Sequence, residues 1–137
     1  LFDTKGKEVA NTFYWRSNDK YEGRKTLTGP TSSGFEDLSK LKQVQLKTRY
    51  QTYQEGDRHF IKAEIKNPSS TVAFFTQLQL LGQDKKPVRP SFYTDNFFSL
   101  LPGESKTVII ETAASDMPSE PTFVVKGWNI KPSSFKL

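Results

Sequence analysis

Residues able to do covalent or acid–base chemistry are sparse along this chain. Its one histidine is His59, and it has no cysteine, which excludes thiol catalysis, disulfides and thiolate metal sites. One imidazole with scattered carboxylates makes a poor metal cage, since zinc draws about four converging N, S or O ligands. No Gly-x-Ser-x-Gly elbow presents a serine to His59, so that side chain reads as structural or solvated. Paired carboxylates cleave glycosidic bonds when they stand about 5 to 9 Å apart across a cleft that raises the pKa of one. Glu36/Asp37 and Glu55/Asp57 fall in turns, where nothing would desolvate either partner. Asp95 and Glu104 flank an aromatic loop and are the one pair worth locating. The competing expectation is that Asp95 caps its own turn and Glu104 sits in an exposed Pro-Gly reversal. No P-loop, dinucleotide fingerprint or other glycine-rich phosphate cradle occurs. The sequence therefore assigns no catalytic residue, metal ligand or cofactor to this chain.

Binding chemistry is better represented. Phe92-Tyr93-Thr94-Asp95-Asn96-Phe97-Phe98 sets flat apolar rings beside two side chains that can pair with hydroxyls, as a sugar-contacting loop would. Tyr93, Asp95 and Asn96, with Trp128 beside the permissive Gly127, are the candidate substrate-binding residues at the rim of a cleft. The alternative is that Phe92, Phe97 and Phe98 turn inward while Asp95-Asn96 makes the bend, and that Trp128 packs on a neighbouring sheet.

The elements that must carry this loop are strands. Val44, Leu46, Thr48 and Tyr50 alternate with Gln45, Lys47, Arg49 and Gln51, and Ile61, Ala63 and Ile65 alternate with Phe60, Lys62 and Glu64. Gln54-Glu55-Gly56-Asp57 reads as the hairpin turn between them. A third run, Ala73 to Leu81, puts Phe74, Thr76, Leu78 and Leu80 on one face. It is bounded by the break Asn67-Pro68-Ser69-Ser70 and the turn Gly82-Gln83-Asp84-Lys85. Leu101-Pro102-Gly103-Glu104 reverses the chain into Thr107–Thr112, because Pro presets φ and Gly accepts a positive φ. Phe123 to Ile130 closes the sheet, and residues 131–137 read as a loose tail. Upstream, Val9–Trp15 reads as a strand, residues 17–34 as a long polar connection, and Phe35–Leu41 as one helical turn. This spacing predicts an all-β chain, an immunoglobulin-like antiparallel β-sandwich of about seven strands. Residues 1–34 form a lead-in that could close a preceding domain, and residues 35–137 form the sandwich with its tail.

Bulk composition agrees with that class. The chain has 137 residues, enough for one domain that buries roughly two-thirds of its unfolded surface. It contains 11 Phe, 5 Tyr and 2 Trp, so much of its apolar area is aromatic, which suits packed sheets. Twenty Lys/Arg against 15 Asp/Glu give a net charge of +5. The densest basic run, Lys40 to Arg49, has the spacing of a solvated strand face and lacks the focus of a nucleic-acid footprint. No run is long and apolar enough for a membrane-spanning helix, and no signal peptide is recognisable. The chain starts at Leu1 and its one methionine is Met117, as expected of a piece of a longer polypeptide.

An ordered set of strings carries a family resemblance. Asn67-Pro68-Ser69, Ala73-Phe74-Phe75, Leu78-x-Leu80-Leu81, Tyr93-x-Asp95-Asn96-Phe97-Phe98-x-Leu100-Leu101-Pro102-Gly103-Glu104-Ser105 and Gly127-Trp128-Asn129 resemble the C-terminal immunoglobulin-like domain of glycoside hydrolase family 2. The nearest likeness is to exo-β-D-glucosaminidases, with β-mannosidases and plant-type endo-β-mannosidases close behind. Asp3-x-x-Gly6-x-x-Val9-x-Asn11-x-Phe13-Tyr14-Trp15 and Asp37-Leu38-x-x-Leu41 resemble the family's preceding strand and linking turn. The resemblance implies a retaining glycosidase whose catalytic pair lies in a separate upstream barrel, so no catalytic residue carries over. It implies a bracing role for this domain, with the upstream domains of the same polypeptide as partners and a loop lent to the substrate cleft. It also implies a β-linked amino-sugar or mannose oligosaccharide as ligand, and a periplasmic or extracellular setting. Two other readings stand beside it: an autonomous carbohydrate-binding module and a protein-docking or adhesion sandwich.

Overall fold

The structure is a computed structural model that describes residues 3–6, 9 and 36–137, with the Glu36 and Asp37 side chains outside the described set. The expected strand Val9–Trp15 and connection 17–34 lie outside the described residues, apart from Val9. The chain divides into two compact units between Lys40 and Leu41. In the first, Asp3 and Gly6 close a turn in which Gly6 sits at φ +77° and its amide donates to the Asp3 carbonyl at 3.0 Å. The expected helical turn is a 3-10 segment, Glu36–Lys40.

The second unit is a sandwich of two four-stranded antiparallel sheets. Its strands are β1 (Lys47–Glu55), β2 (Arg58–Lys66), β3 (Ala73–Leu81), β4 (Phe92–Tyr93), β5 (Phe98–Leu100), β6 (Ser105–Ala113), β7 (Thr122–Gly127) and β8 (Ile130–Lys136). One sheet runs β1-β2-β6-β4 and the other β5-β3-β7-β8. The eight strands include two of only two and three residues, at either end of the aromatic loop.

Side-chain parity sets the core. Ile61, Ala63 and Ile65 from β2 and Val108 and Ile110 from β6 are buried, facing Leu78, Leu80, Phe123 and Val125 of the other sheet. Val44 and Leu46 complete the packing ahead of β1. Gly56, at φ +58°, takes the first of the two turn positions between β1 and β2, which suits the twist of a tight hairpin.

The end of the chain corrects the expectation of a loose tail. Residues 130–136 form β8, paired with β7 from Thr122↔Lys136 to Gly127↔Ile130. Two features hide this strand in the sequence. Pro132 normally argues against pairing, but β8 is an outer strand and its register shifts between Val125 and Gly127, where a missing N–H is tolerated. Phe135 then anchors the strand, its ring 5.8 Å from Phe123 and 5.4 Å from Tyr50. Trp128 and Asn129, read as part of one closing strand, form the turn between β7 and β8.

Candidate functional site

The loop 92–98 lies along an edge of β3. Past its short pairing with β5, β3 has no strand on that side, and an open edge leaves backbone groups needing partners. Side chains from the loop supply them. The Leu78 amide donates to Asn96 Oδ1 at 2.8 Å, while Asn96 Nδ2 donates to the Leu78 carbonyl at 3.1 Å. Two residues on, the Leu80 amide donates to the Tyr93 hydroxyl at 3.0 Å, and the Leu80 carbonyl accepts from the Val88 amide at 2.9 Å. Asn96 thus imitates a residue of a neighbouring strand. Burial pushes the half-buried Tyr93 phenol above its ordinary range, and the Leu80 amide only partly offsets this.

The carboxylates of the loop are also engaged. Asp95 accepts from the Asn96 amide at 2.7 Å and pairs with Lys106 of β6, whose ammonium lies 5.1 Å from the centre of the Phe98 ring. Glu104 closes the Pro-Gly turn by accepting from the Leu101 amide at 2.8 Å. Glu104 therefore serves its own turn, whereas Asp95 both accepts from its own loop and reaches across to β6. His59 stands on β2 opposite Gln54 and Thr112. Among the described residues no three His, Cys, Asp or Glu side chains converge as a metal site would require.

The apolar side of the site is built from residues the sequence reading did not single out together. Two Phe-Phe doublets meet here, and each splits. Phe74 and Phe98 are 8% exposed, whereas Phe75 is 49% and Phe97 51% exposed. Both outward residues sit at φ +58°, a left-handed conformation that costs a bulky residue roughly 1–3 kcal/mol. Their rings lie 5.8 Å apart, and Trp128, 60% exposed, stands beside them. Phe92, on the outer face of β4, is likewise exposed. The inward packing expected of Phe92, Phe97 and Trp128 is thus corrected, and only Phe98 of the loop rings follows it. The available sequence signal was the doublets themselves, because two consecutive large apolar residues break strict alternation and mark a bulge.

Phe75, Gln77, Phe97, Lys126, Gly127 and Trp128 enclose a shallow hollow of about 250 Å³. A Cβ on Gly127 would stand 2.9 Å from the Phe75 carbonyl oxygen and 3.0 Å from that of Phe74. Of the four candidate residues, Tyr93 and Asn96 meet on the β3 edge, Asp95 turns to Lys106, and Trp128 joins the aromatic hollow. A wider hollow of about 540 Å³ lies at the opposite end of β3 and β7, against Gly82, Gln83, Glu120 and Leu137.

Comparison with known proteins gives a consistent result. Residues 26–130 match the family model described as the exo-beta-D-glucosaminidase Ig-fold domain. The exo-beta-D-glucosaminidase of Streptomyces avermitilis is 32% identical over 139 residues, which is 94% of this chain but 15% of that protein. The enzyme of the same name from Amycolatopsis orientalis is 29% identical over 94% of this chain and 14% of its own length. Among solved structures, Amycolatopsis orientalis exo-chitosanase CsxA superposes with a TM-score of 0.81 at 25% identity, covering 99% of this chain and 17% of that one. The chain thus spans about one-seventh of the length of the curated relatives it matches.

Proposed function

The chain belongs to the exo-beta-D-glucosaminidase Ig-fold domain family, and from that premise we propose that it is a non-catalytic C-terminal accessory domain of an exo-acting β-glycosidase of glycoside hydrolase family 2. It braces a multi-domain enzyme that releases glucosamine units from chain ends with retention, while the catalytic carboxylates lie outside this chain. One observation carries the reading: nearly all of this chain aligns with only 14–15% of each relative. The local chemistry supports it, because Asp95 is held by Lys106 and Glu104 by the Leu101 amide. A periplasmic or extracellular setting goes with this reading.

The test is direct. The 137-residue chain, incubated with aryl β-D-glucosaminide and aryl β-D-mannoside, gives no hydrolysis above buffer. Turnover that disappears in Asp95→Ala or Glu104→Ala would overturn the proposal.

A further inference from the structure

Three exposed rings gather at one end of the β5-β3-β7-β8 sheet. The antiparallel register that sets Gln77 opposite Lys126 brings the start of β3 next to the end of β7, so Phe75 and Trp128 come together, and Phe97 reaches them from the bend immediately before β5. We infer that this Phe75–Phe97–Trp128 face is the seat on which the rest of the polypeptide outside this chain packs, through an apolar surface rimmed with carboxylates. The inference rests on the accessory-domain reading above.

Four observations converge on it. Two phenylalanines are held in a left-handed backbone conformation, and in each case this turns the ring outward when its doublet partner is buried. Strain that exposes apolar area is kept where something uses the surface. Second, the three rings line, with Gly127 and Lys126, a shallow hollow of about 250 Å³, room enough to receive a side chain from a covering surface. Third, most of each relative's length lies outside the part this chain matches, so a large covalently tethered occupant is at hand. Fourth, the charge chooses between occupants. Lys126 stands at the hollow and the chain carries +5, which repels a protonated glucosamine polymer and attracts an acidic protein rim.

The test compares the natural full-length polypeptide with the 137-residue chain, each carrying Trp128→Ala or Phe97→Asn; asparagine tolerates the left-handed conformation. A ring that seats a partner makes the fall in Tm larger in the full-length protein than in the chain by ~2–4 °C. Limited proteolysis then frees a fragment of the chain's size several-fold faster. Equal Tm shifts in both contexts with unchanged proteolysis would overturn the inference. So would binding of neutral or deacetylated chito-oligosaccharides to the 137-residue chain that Trp128→Ala abolishes, since that reassigns the face to sugar. Hydrolysis of aryl β-D-glucosaminide by the wild-type full-length protein is measured alongside. Its absence removes the enzymatic reading, whereas its presence with equal Tm shifts removes only the seat.

Discussion

The Asn129 side chain accepts the Phe74 amide proton at 2.8 Å through Oδ1, and its Nδ2 donates to the carbonyls of Lys42 and Val72 at 2.9 Å each. Asn129 is 2% exposed, so one buried amide ties the approach to β1, the start of β3 and the β7–β8 turn together. Its backbone joins in, the carbonyl accepting from Val44 at 2.7 Å. The exposed aromatic hollow next to it depends on this knot, because Trp128 and Phe75 are the adjacent residues.

Removing the amide strands one buried N–H and two carbonyls. At 1–3 kcal/mol per unpaired buried group, partly relieved by water, Asn129→Ala is expected to cost about 3 kcal/mol. Urea unfolding followed by tryptophan fluorescence should show a lower midpoint with an unchanged m-value. Asn129→Asp keeps the acceptor for Phe74 and loses both donations. A loss below ~1 kcal/mol in Asn129→Ala would show that the knot contributes little.

Gly127 permits the close approach on the other side of the hollow. An alanine Cβ would meet Ile130 Cδ1, which can move, and two backbone carbonyl oxygens at about 3 Å, which cannot without shifting β3. Gly127→Ala is therefore expected to destabilise by about 2 kcal/mol. Adding Ile130→Val should return little of that, because the carbonyls set the limit. Full recovery in the double variant would place the clash on the isoleucine alone.

Asn96 and the β3 edge give a local readout. Asn96→Ala leaves the Leu78 amide and carbonyl without their partners and should lower stability by about 2 kcal/mol. Hydrogen exchange should quicken most at Leu78. Exchange that accelerates uniformly, with Leu78 no faster than Val125 in the centre of the sheet, would contradict the capping role.

How far the sequence told this in advance depends on which interaction set each feature. The alternation in Ile61/Ala63/Ile65 and Leu78/Leu80 carries the sandwich, because period-two burial is a property of consecutive residues. The Gly56-Asp57 hairpin and the Pro102-Gly103 reversal were legible for the same reason, since their backbone needs are local. Strand β8 was not legible, because its pairing depends on a bulge that excuses Pro132 and on a ring contact between Phe135 and Phe123, twelve residues away in sequence. The site divides in the same way. Asp95-Asn96 reads as a bend, yet no local pattern shows that Asn96 grips β3, eighteen residues upstream. Nor does any local pattern say which ring of Phe74-Phe75 or Phe97-Phe98 turns outward.

Tyr93 supplies a pH-dependent test of the same edge. Its hydroxyl accepts from the Leu80 amide at 3.0 Å, so Tyr93→Phe should cost about 1 kcal/mol at neutral pH. Burial is the larger influence on the phenol and raises its folded-state pKa above the ordinary 10.0. The sign follows from which state loses its proton first. Below pH 10 the phenol is protonated in both states, and its contribution is constant. As pH rises past 10 the unfolded phenol ionises while the folded one stays neutral, so the unfolded state binds fewer protons and stability falls. The wild-type advantage over Tyr93→Phe should therefore hold from about pH 6 to 9 and shrink above 10, measured as the difference in urea midpoints at each pH. An advantage that grows in the alkaline range would mean that the Leu80 amide, stabilising the phenolate, outweighs desolvation at this position.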